Sequence, residues 1–137
     1  MISVFVYGTL MVGESNHAVA APYVLSVQPG AVHGELYHVG AYPALLLSKL
    51  AEGEEPKRVV GEWLEVTEEG LAAMDELEDY YGPGEANEYE RVWVHDVNGL
   101  REGWVYVWED VSGLQAIRSG SWRAFCAELN EACIGEG

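Results

Sequence analysis

Hydrophobic residues recur along this chain mostly at the spacing of short strands, and the first strand is the most regular. Residues Ile2 to Tyr7 are apolar on both faces apart from Ser3, which is the pattern of a strand buried in the centre of a sheet. A tight turn, Gly8-Thr9-Leu10, follows. Alternation predicts further strands over residues 31–39 and 59–66, with a short apolar run at 45–47 between them.

A β-hairpin is the clearest local feature of the sequence. Two runs of β-type residues, 89–97 and 100–108, flank the dipeptide Asn98-Gly99, which is the preferred two-residue turn between antiparallel strands. The register set by this turn predicts two favourable cross-strand pairs, Asp96 with Arg101 and Trp93 with Trp104.

Helical spacing is found in three segments. Ser15 and Asn16 are candidate caps for a short helix that ends near Ala21. A last helix is predicted from Ser121 to about Cys133, because its apolar residues recur at i, i+3, i+4 and i+7, in Trp122, Phe125, Cys126 and Leu129. Strands interspersed with three helices, without regular βαβ alternation, predict an α+β fold with a curved or closed sheet.

The third helix begins at its N-cap, Thr67, and carries Glu78. Leu71, Met74 and Leu77 define its buried stripe, and Glu78 lies on the same stripe, four residues after Met74. An unpaired carboxylate that faces the core is costly to ionise, so its pKa is expected to be raised. Glu78 is therefore the candidate acid or base of this chain, whereas its acidic neighbours Glu76 and Asp79 rotate towards solvent.

Composition limits both the fold and the partners. With 137 residues, 49% of them hydrophobic, the chain is expected to form one domain over residues 1–137 with a packed core. Its 7 Lys and Arg against 23 Asp and Glu give a formal net charge of −16, which disfavours nucleic acid. No stretch approaches the roughly 20 apolar residues of a membrane span, and the first residues lack a signal peptide's basic region. We expect a cytoplasmic protein that binds neither nucleic acid nor membrane.

The acidic residues are clustered. Fourteen of the 23 lie between positions 51 and 90. Such a cluster is ordinarily a solvated surface that favours solubility. The functional alternative is a rim that attracts a cationic leaving group.

Neither the cysteines nor the histidines indicate a disulfide or a metal site. Cys126 and Cys133 are seven residues apart on one predicted helix, which separates their Cα atoms by about 10 Å, beyond the roughly 7 Å limit for a disulfide. We expect both thiols to be buried. The histidines lie on separate segments without metal-ligand spacing, at His17, His33, His38 and His95.

The turn after the first strand is the second candidate functional element. In Val6-Tyr7-Gly8-Thr9-Leu10, the glycine lets successive backbone N–H groups converge on an anion. Strand-Gly-Thr turns are common, so the turn alone does not define a site.

Several segments are more informative when they are taken together. They are Val6-Tyr7-Gly8-Thr9-Leu10 with Gly13 and Asn16-His17, Gly34-Glu35-Leu36-Tyr37, Tyr42-Pro43-Ala44, Val60-Gly61-Glu62, Met74-Asp75-Glu76-Leu77-Glu78 and Tyr89-Glu90-Arg91. In order and spacing this set resembles the gamma-glutamylcyclotransferase superfamily, over residues 4 to about 108. Ser119-Gly120-Ser121-Trp122 is a further similar segment.

The resemblance implies a small mixed β-barrel with flanking helices, and a reaction without metal or cofactor. Members of the superfamily release 5-oxoproline and a free amine from a gamma-glutamyl amine or gamma-glutamyl amino acid. The substrate's own α-amine attacks its γ-carbonyl. By position in the motifs, Glu78 is the catalytic general acid/base, and Tyr7, Gly8, Thr9 and Leu10 bind the glutamyl group.

Three other residues are expected to support the pocket. Tyr89 and Arg91 are two residues apart and therefore share one face of a strand. They either support the pocket or form an aromatic and cationic stripe on the surface. Arg91 alternatively pairs with a carboxylate of the helix, and a buried ion pair of this kind would also account for Glu78. Asp75 is a helper or faces solvent. Tyr7 either binds substrate through its hydroxyl or is simply a buried aromatic residue.

Two non-enzymatic alternatives are also open. A binding module would use the same pocket for a small carboxylate ligand, although a buried glutamate adds nothing to the binding of an anion. A structural protein would present aromatic residues such as Trp104 or Trp108 in an oligomer interface. The expected partner is a small gamma-glutamyl substrate, with the chain as a monomer or weak homodimer, and the acidic 51–90 segment favours a cationic leaving amine.

Overall fold

The computed structural model describes residues 2–39, 42–47 and 57–128. Its strands are β1 (Ile2–Val6), β2 (Val24–His38), β3 (Pro43–Leu47), β4 (Arg58–Val66), β5 (Glu90–His95), β6 (Glu102–Val107) and β7 (Gln115–Ile117). The helices are α1 (His17–Ala20), a 3-10 turn (Ala21–Tyr23), α2 (Glu68–Leu77) and α3 over residues 122–128.

The strands form one sheet in the order β3-β2-β4-β1-β6-β5, with β7 paired to β2. The sheet curls into a half-barrel flanked by the helices, and the end of β6 meets β3 where the Trp108 N–H donates to the Leu45 carbonyl. The predicted α+β class is confirmed. None of the described helices has the length and apolarity needed to cross a membrane.

β1 lies in the centre of the sheet, as its two-sided apolar pattern predicts. It pairs antiparallel with β4 and parallel with β6. Val4 and Phe5 are fully buried, and the Phe5 ring packs edge-on against Trp63 on β4 with ring centroids 5.3 Å apart. This core fixes the end of β1, where the glycine turn begins.

The strand predicted over residues 31–39 is longer than expected, because β2 begins at Val24. Its first half contains Pro29 and Gly30, which resemble a loop in the sequence. In the sheet Gly30 pairs with Gly61 of β4, and a Cβ atom on Gly30 would lie only 2.4 Å from the Trp63 ring. Packing against the core, rather than β propensity, therefore defines this half of the strand. The short strand β7 was not predicted.

The hairpin register is confirmed, and its strands are shorter than the predicted runs. Trp93 pairs with Trp104, with their ring centroids 5.1 Å apart, and the Asp96 N–H donates to the Arg101 carbonyl. The predicted pair of Asp96 with Arg101 is confirmed, and the positive charge of Arg101 acts on the Asp96 carboxylate. The Asp96 carboxylate turns inward and accepts a hydrogen bond from the Trp63 indole at 2.7 Å.

The last predicted helix is confirmed over residues 122–128. Trp122 is buried and stacks on Phe125, with ring centroids 5.6 Å apart. Cys126 is a free, half-buried thiol. Leu129 and Cys133 lie outside the described residues.

Candidate active site

A cavity of about 210 Å³ opens where the end of β1, the end of α2 and the start of β5 meet. It joins residues that are far apart in the sequence. Its walls are Phe5, Val6, Tyr7, Gly8, Thr9, Leu10, Asn16, Tyr42, Pro43, Leu77, Glu78, Glu88, Tyr89 and Tyr106. The glycine turn and Glu78, which the sequence singles out separately, therefore share one cavity.

The turn is held in shape by its own backbone and by Asn16. The Met11 N–H donates to the Gly8 carbonyl, and the Asn16 N–H donates to the Thr9 carbonyl at 2.8 Å. The Asn16 side-chain amide also donates to the Thr9 hydroxyl, so Asn16 braces this turn and does not cap α1 through its side chain. The Thr9 and Leu10 N–H groups donate to no acceptor in the described part of the chain, which leaves them available to an anion.

Gly8 is required for space. A Cβ atom on Gly8 would lie 2.5 Å from Cγ and 2.7 Å from Cδ of Pro43. Both residues line the cavity. The absence of a side chain at Gly8 therefore lets β3 approach the turn and close one wall of the cavity.

Glu78 lies one residue beyond α2, whereas the sequence predicted it inside the helix. Thr67 caps the helix as predicted, by accepting a hydrogen bond from the Gly70 N–H. The helix ends at Leu77 because Asp79 adopts a left-handed conformation with φ of 52°. The Asp79 and Tyr80 N–H groups then bond back to the carbonyls of Glu76 and Asp75, as in a Schellman motif. The Tyr81-Gly82-Pro83-Gly84 segment, whose glycines and proline are typical of a helix end, lies in the loop beyond this motif.

The environment of Glu78 favours its neutral form. Burial raises the pKa of its carboxyl group from the ordinary 4.5 to about 7, and the charges of Glu88 and Asp79 contribute to the rise. No group among the described residues donates a hydrogen bond to this carboxyl. A carboxyl group with a pKa near neutrality can both accept and release a proton at physiological pH. The alternative of a buried ion pair with Arg91 is not found.

Two tyrosines of the site are buried and donate to backbone carbonyls. The Tyr7 hydroxyl bonds to the Tyr106 carbonyl at 2.6 Å, and the Tyr89 hydroxyl bonds to the Pro43 carbonyl at 2.7 Å. Burial, and then the neighbouring negative charge of Glu78, raises the pKa of Tyr7 well above its usual value. Tyr7 therefore resembles a buried aromatic residue whose hydroxyl proton is already used in a hydrogen bond within the protein.

Arg91 pairs with a helix carboxylate, and its partner is Asp75. The guanidinium also stacks on the rings of Tyr80 and Trp104, 4.8 and 4.7 Å from their centroids. Neither Arg91 nor Asp75 lines the cavity. The pair instead fastens the last turn of α2 to β5, three residues before Glu78.

The sequence did not identify four polar residues of the wall: Asn16 as a brace, Tyr42, Glu88 and Tyr106. The Tyr42 hydroxyl donates to a Glu88 carboxylate oxygen at 2.7 Å. Tyr42 lies in the Tyr42-Pro43-Ala44 segment, which was a usable signal. Glu88 and Tyr106 have no local signal, since only the folded loop and the curl of the sheet bring them to the cavity. In the described ranges, no three His, Cys, Asp or Glu side chains are grouped as a metal site.

The fold and the site define a class of protein: an α+β half-barrel whose cavity holds an unpaired carboxyl group beside a glycine turn with two unpaired backbone N–H groups. The sequence profile of the family described as "Gamma-glutamyl cyclotransferase, AIG2-like" matches residues 4–124. The chain belongs to this family, and it is a gamma-glutamylcyclotransferase-like enzyme.

Individual relatives agree with this assignment. The chain is 38% identical over 129 residues to the gamma-L-glutamyl-butirosin B gamma-glutamyl cyclotransferase of Niallia circulans, covering 91% of this chain and 78% of that one. An AIG2-like protein from Mus musculus has a TM-score of 0.64 at 26% identity, with 86% of each chain covered. An uncharacterised protein from Pyrococcus horikoshii shares the fold, with a TM-score of 0.68 at 20% identity over 96% of this chain and 98% of the other.

Proposed function

We propose that this protein is a cyclotransferase that releases 5-oxoproline and a free amine from a gamma-glutamyl amine or gamma-glutamyl amino acid. Glu78 is the general acid/base, and the Tyr7–Leu10 turn binds the glutamyl group. One observation carries the proposal: the carboxyl group of Glu78 and the unpaired N–H groups of the turn line the same cavity.

The reaction needs a group that moves protons between two nitrogens. The substrate's α-ammonium must lose a proton before its nitrogen attacks the γ-carbonyl carbon and closes the ring. The ring nitrogen loses a second proton, the leaving nitrogen takes up one proton as the amide C–N bond breaks, and the released amine takes up the other to become an ammonium. Glu78 accepts each proton and returns it to the leaving nitrogen, for which a pKa of about 7 is well matched.

The turn contributes binding without adding a mobile charge. The Thr9 and Leu10 N–H groups hold the substrate's α-carboxylate or the oxyanion that forms on the γ-carbonyl oxygen. Because ring closure is intramolecular, holding the substrate in a folded conformation supplies a large part of the rate. Tyr89 supports the wall through Pro43, whereas Arg91 and Asp75 hold the helix.

The leaving amine of this proposal is cationic. Two carboxylates, Glu78 and Glu88, line the cavity, and its described walls contain no Lys or Arg. Tyr42 orients one oxygen of Glu88 and leaves the other available to an ammonium group. Of the acidic 51–90 segment, the structure describes the part from residue 57 onward. Two acidic residues of that part, Glu78 and Glu88, line the cavity.

Turnover of gamma-glutamyl compounds tests the proposal directly. Purified protein incubated with a panel of gamma-glutamyl amines and amino acids should form 5-oxoproline, detected by mass spectrometry. Glu78→Gln should lower kcat by about 100-fold or more, whereas Glu76→Gln, at an exposed position in the last turn of α2, should retain wild-type turnover.

Two results would contradict this proposal in different ways. A folded Glu78→Gln variant with wild-type turnover would remove the catalytic assignment of Glu78. Tight binding of a gamma-glutamyl amine by calorimetry, without any product, would instead support a binding module that uses the same pocket.

The preference for a cationic amine has its own measurement. At low salt, kcat/KM should be several-fold higher for a gamma-glutamyl diamine than for a neutral alkyl amide of equal length. Glu88→Gln should reduce that ratio, and Glu85→Gln, on the same loop but outside the cavity wall, should not. Equal kcat/KM values for both substrates in the wild type would refute the preference.

A further inference from the structure

Tyr106 contacts both halves of the candidate active site. It lies on β6, and its ring forms part of the cavity wall. Its main chain bonds to the residue that begins the glycine turn, and its side chain bonds to the helix that precedes Glu78. Among the described wall residues, Tyr106 is the one that is hydrogen-bonded both to Tyr7, where the glycine turn begins, and to Asp75 on α2.

The link to the turn is made by the main chain. β1 and β6 run parallel, with Phe5 paired to Val105. The next side chain on the same face of β1 is Tyr7, whose hydroxyl donates to the Tyr106 carbonyl at 2.6 Å. This bond fixes the end of β1, and with it the start of the turn, to a defined residue of β6.

The link to the helix is made by the side chain. The Tyr106 hydroxyl donates to Oδ1 of Asp75 at 2.7 Å, while Oδ2 of Asp75 accepts from Arg91. Asp75 also closes the helix end, because its carbonyl accepts the Tyr80 N–H at 2.9 Å. The residue held by Tyr106 is therefore part of the motif that places Glu78.

We propose that Tyr106 is a positioning residue that fixes the Glu78 carboxyl group relative to the Tyr7–Leu10 turn. This inference rests on the proposed cyclotransferase function. Small displacements between a catalytic group and its bound substrate lower the rate steeply. Loss of the Tyr106 hydroxyl should therefore impair turnover more than it impairs substrate binding.

Tyr106 is not itself an acid or base in this arrangement. Burial, followed by the hydrogen bond to Asp75, raises the pKa of its hydroxyl far above the ordinary value of 10.0. The hydroxyl is neutral and its proton is directed at Asp75, away from any substrate. The effect of Tyr106 must act through Asp75 and the helix end.

A Tyr106→Phe variant isolates the side-chain link, because it keeps the ring and the carbonyl that binds Tyr7. We expect kcat to fall by about tenfold or more, with KM within about twofold of wild type and the pH at half-maximal rate unchanged. Tyr37→Phe is the matched control, since its hydroxyl also donates to a carboxylate, Glu35, at 2.6 Å. The control should retain wild-type kcat and KM.

A double-mutant cycle identifies the route of the effect. In an Asp75→Ala background the Tyr106–Asp75 bond is already lost, so adding Tyr106→Phe should leave kcat unchanged. Additive losses of kcat, or an unchanged kcat in the single Tyr106→Phe variant, would overturn the positioning role.

Hydrogen exchange tests the inference without turnover. Tyr106→Phe should accelerate amide exchange of the helix end, residues 76–80, by several-fold relative to wild type and to Tyr37→Phe. If the wild type produces no 5-oxoproline but this acceleration is seen, the proposed function fails and the positioning role stands. Unchanged exchange at residues 76–80 would contradict the positioning role whatever the turnover.

Discussion

At the scale of single residues, Glu78 lowers the stability of the protein at neutral pH. Its carboxyl group has a pKa of about 7 in the folded chain against an ordinary 4.5. Between these values the folded state binds more protons than the unfolded state, so stability falls as pH rises through this window. Above pH 7 the full cost of ionising the buried carboxyl group is subtracted from the free energy of unfolding. Such a loss of stability is common at groups retained for function.

Glu78→Gln should therefore stabilise the protein in a pH-dependent way. The difference in the free energy of unfolding should be near zero at about pH 4 and reach on the order of 3 kcal/mol in favour of the variant above pH 7. Urea unfolding at several pH values measures this difference. The exposed Glu76→Gln control should show little change with pH, and a variant less stable than wild type at pH 8 would contradict the raised pKa.

The sequence was sufficient to find Glu78 but not its neighbours. Glu78 follows Met74 by four residues, so helical phase alone directs it inward. Helical phase did not show that the helix ends at Leu77, because the left-handed Asp79 that stops it is not a glycine. Glu88 and Tyr106 reach the cavity through tertiary structure, for which local pattern gives no signal.

At the scale of elements, the contact of Gly8 with Pro43 joins the turn to β3. The Pro43 ring fills the space of the missing side chain, and its carbonyl receives the Tyr89 hydroxyl. Pro43 of β3 thereby contacts the turn through its ring and holds Tyr89, just before β5, through its carbonyl. Close packing at such a junction leaves no room for a methyl group.

Gly8→Ala should destabilise the protein by roughly 1–3 kcal/mol through overpacking and reduce turnover by displacing the turn. Pro43→Ala removes Cγ and Cδ but keeps the carbonyl. The Gly8→Ala/Pro43→Ala double variant should therefore recover stability relative to Gly8→Ala, as measured by chemical denaturation. An additive loss in the double variant would show that the clash with Pro43 is not the cause.

The elements themselves were predictable to different degrees. The hairpin register follows from Asn98-Gly99, since the turn type fixes the pairing. The first half of β2 did not follow, because Pro29 and Gly30 are accommodated only through their pairing with Glu62 and Gly61. β7 has three residues, which is too short for a period-2 pattern to be distinctive.

At the scale of the whole molecule, the Asp96 carboxylate ties the hairpin to the rest of the sheet. It accepts hydrogen bonds from the Ala31 N–H on β2, the Trp63 indole on β4 and the Asn98 N–H in the hairpin turn. Burial alone would raise the pKa of Asp96, but these three donors and the positive charge of Arg101 lower it below its ordinary value of 3.8. Asp96 therefore contributes stability at neutral pH that is lost as the pH falls through its lowered pKa.

Asp96→Asn should cost about 1–3 kcal/mol at pH 7, because an amide NH2 group then faces one of the three donors. The difference from wild type should shrink as the pH falls below about 4, because Asp96 is then protonated in the unfolded chain before it is protonated in the folded one. Guanidinium unfolding at pH 7 and pH 3 measures both values. Asp110→Asn, in an exposed loop, should have a small effect, and an equally large effect there would contradict a special role for Asp96.

The parallel pairing of β1 with β6 has a consequence for co-translational folding. Tyr7 and Tyr106 are bonded partners 99 positions apart, so the ends of a long loop must meet before the cavity exists. A nascent chain that carries the turn and Glu78 but lacks β6 has no Tyr106 to link the end of β1 to Asp75 on the helix. Such long-range closure is slow relative to local folding, and catalytic competence should therefore appear late, after β6 has left the exit tunnel.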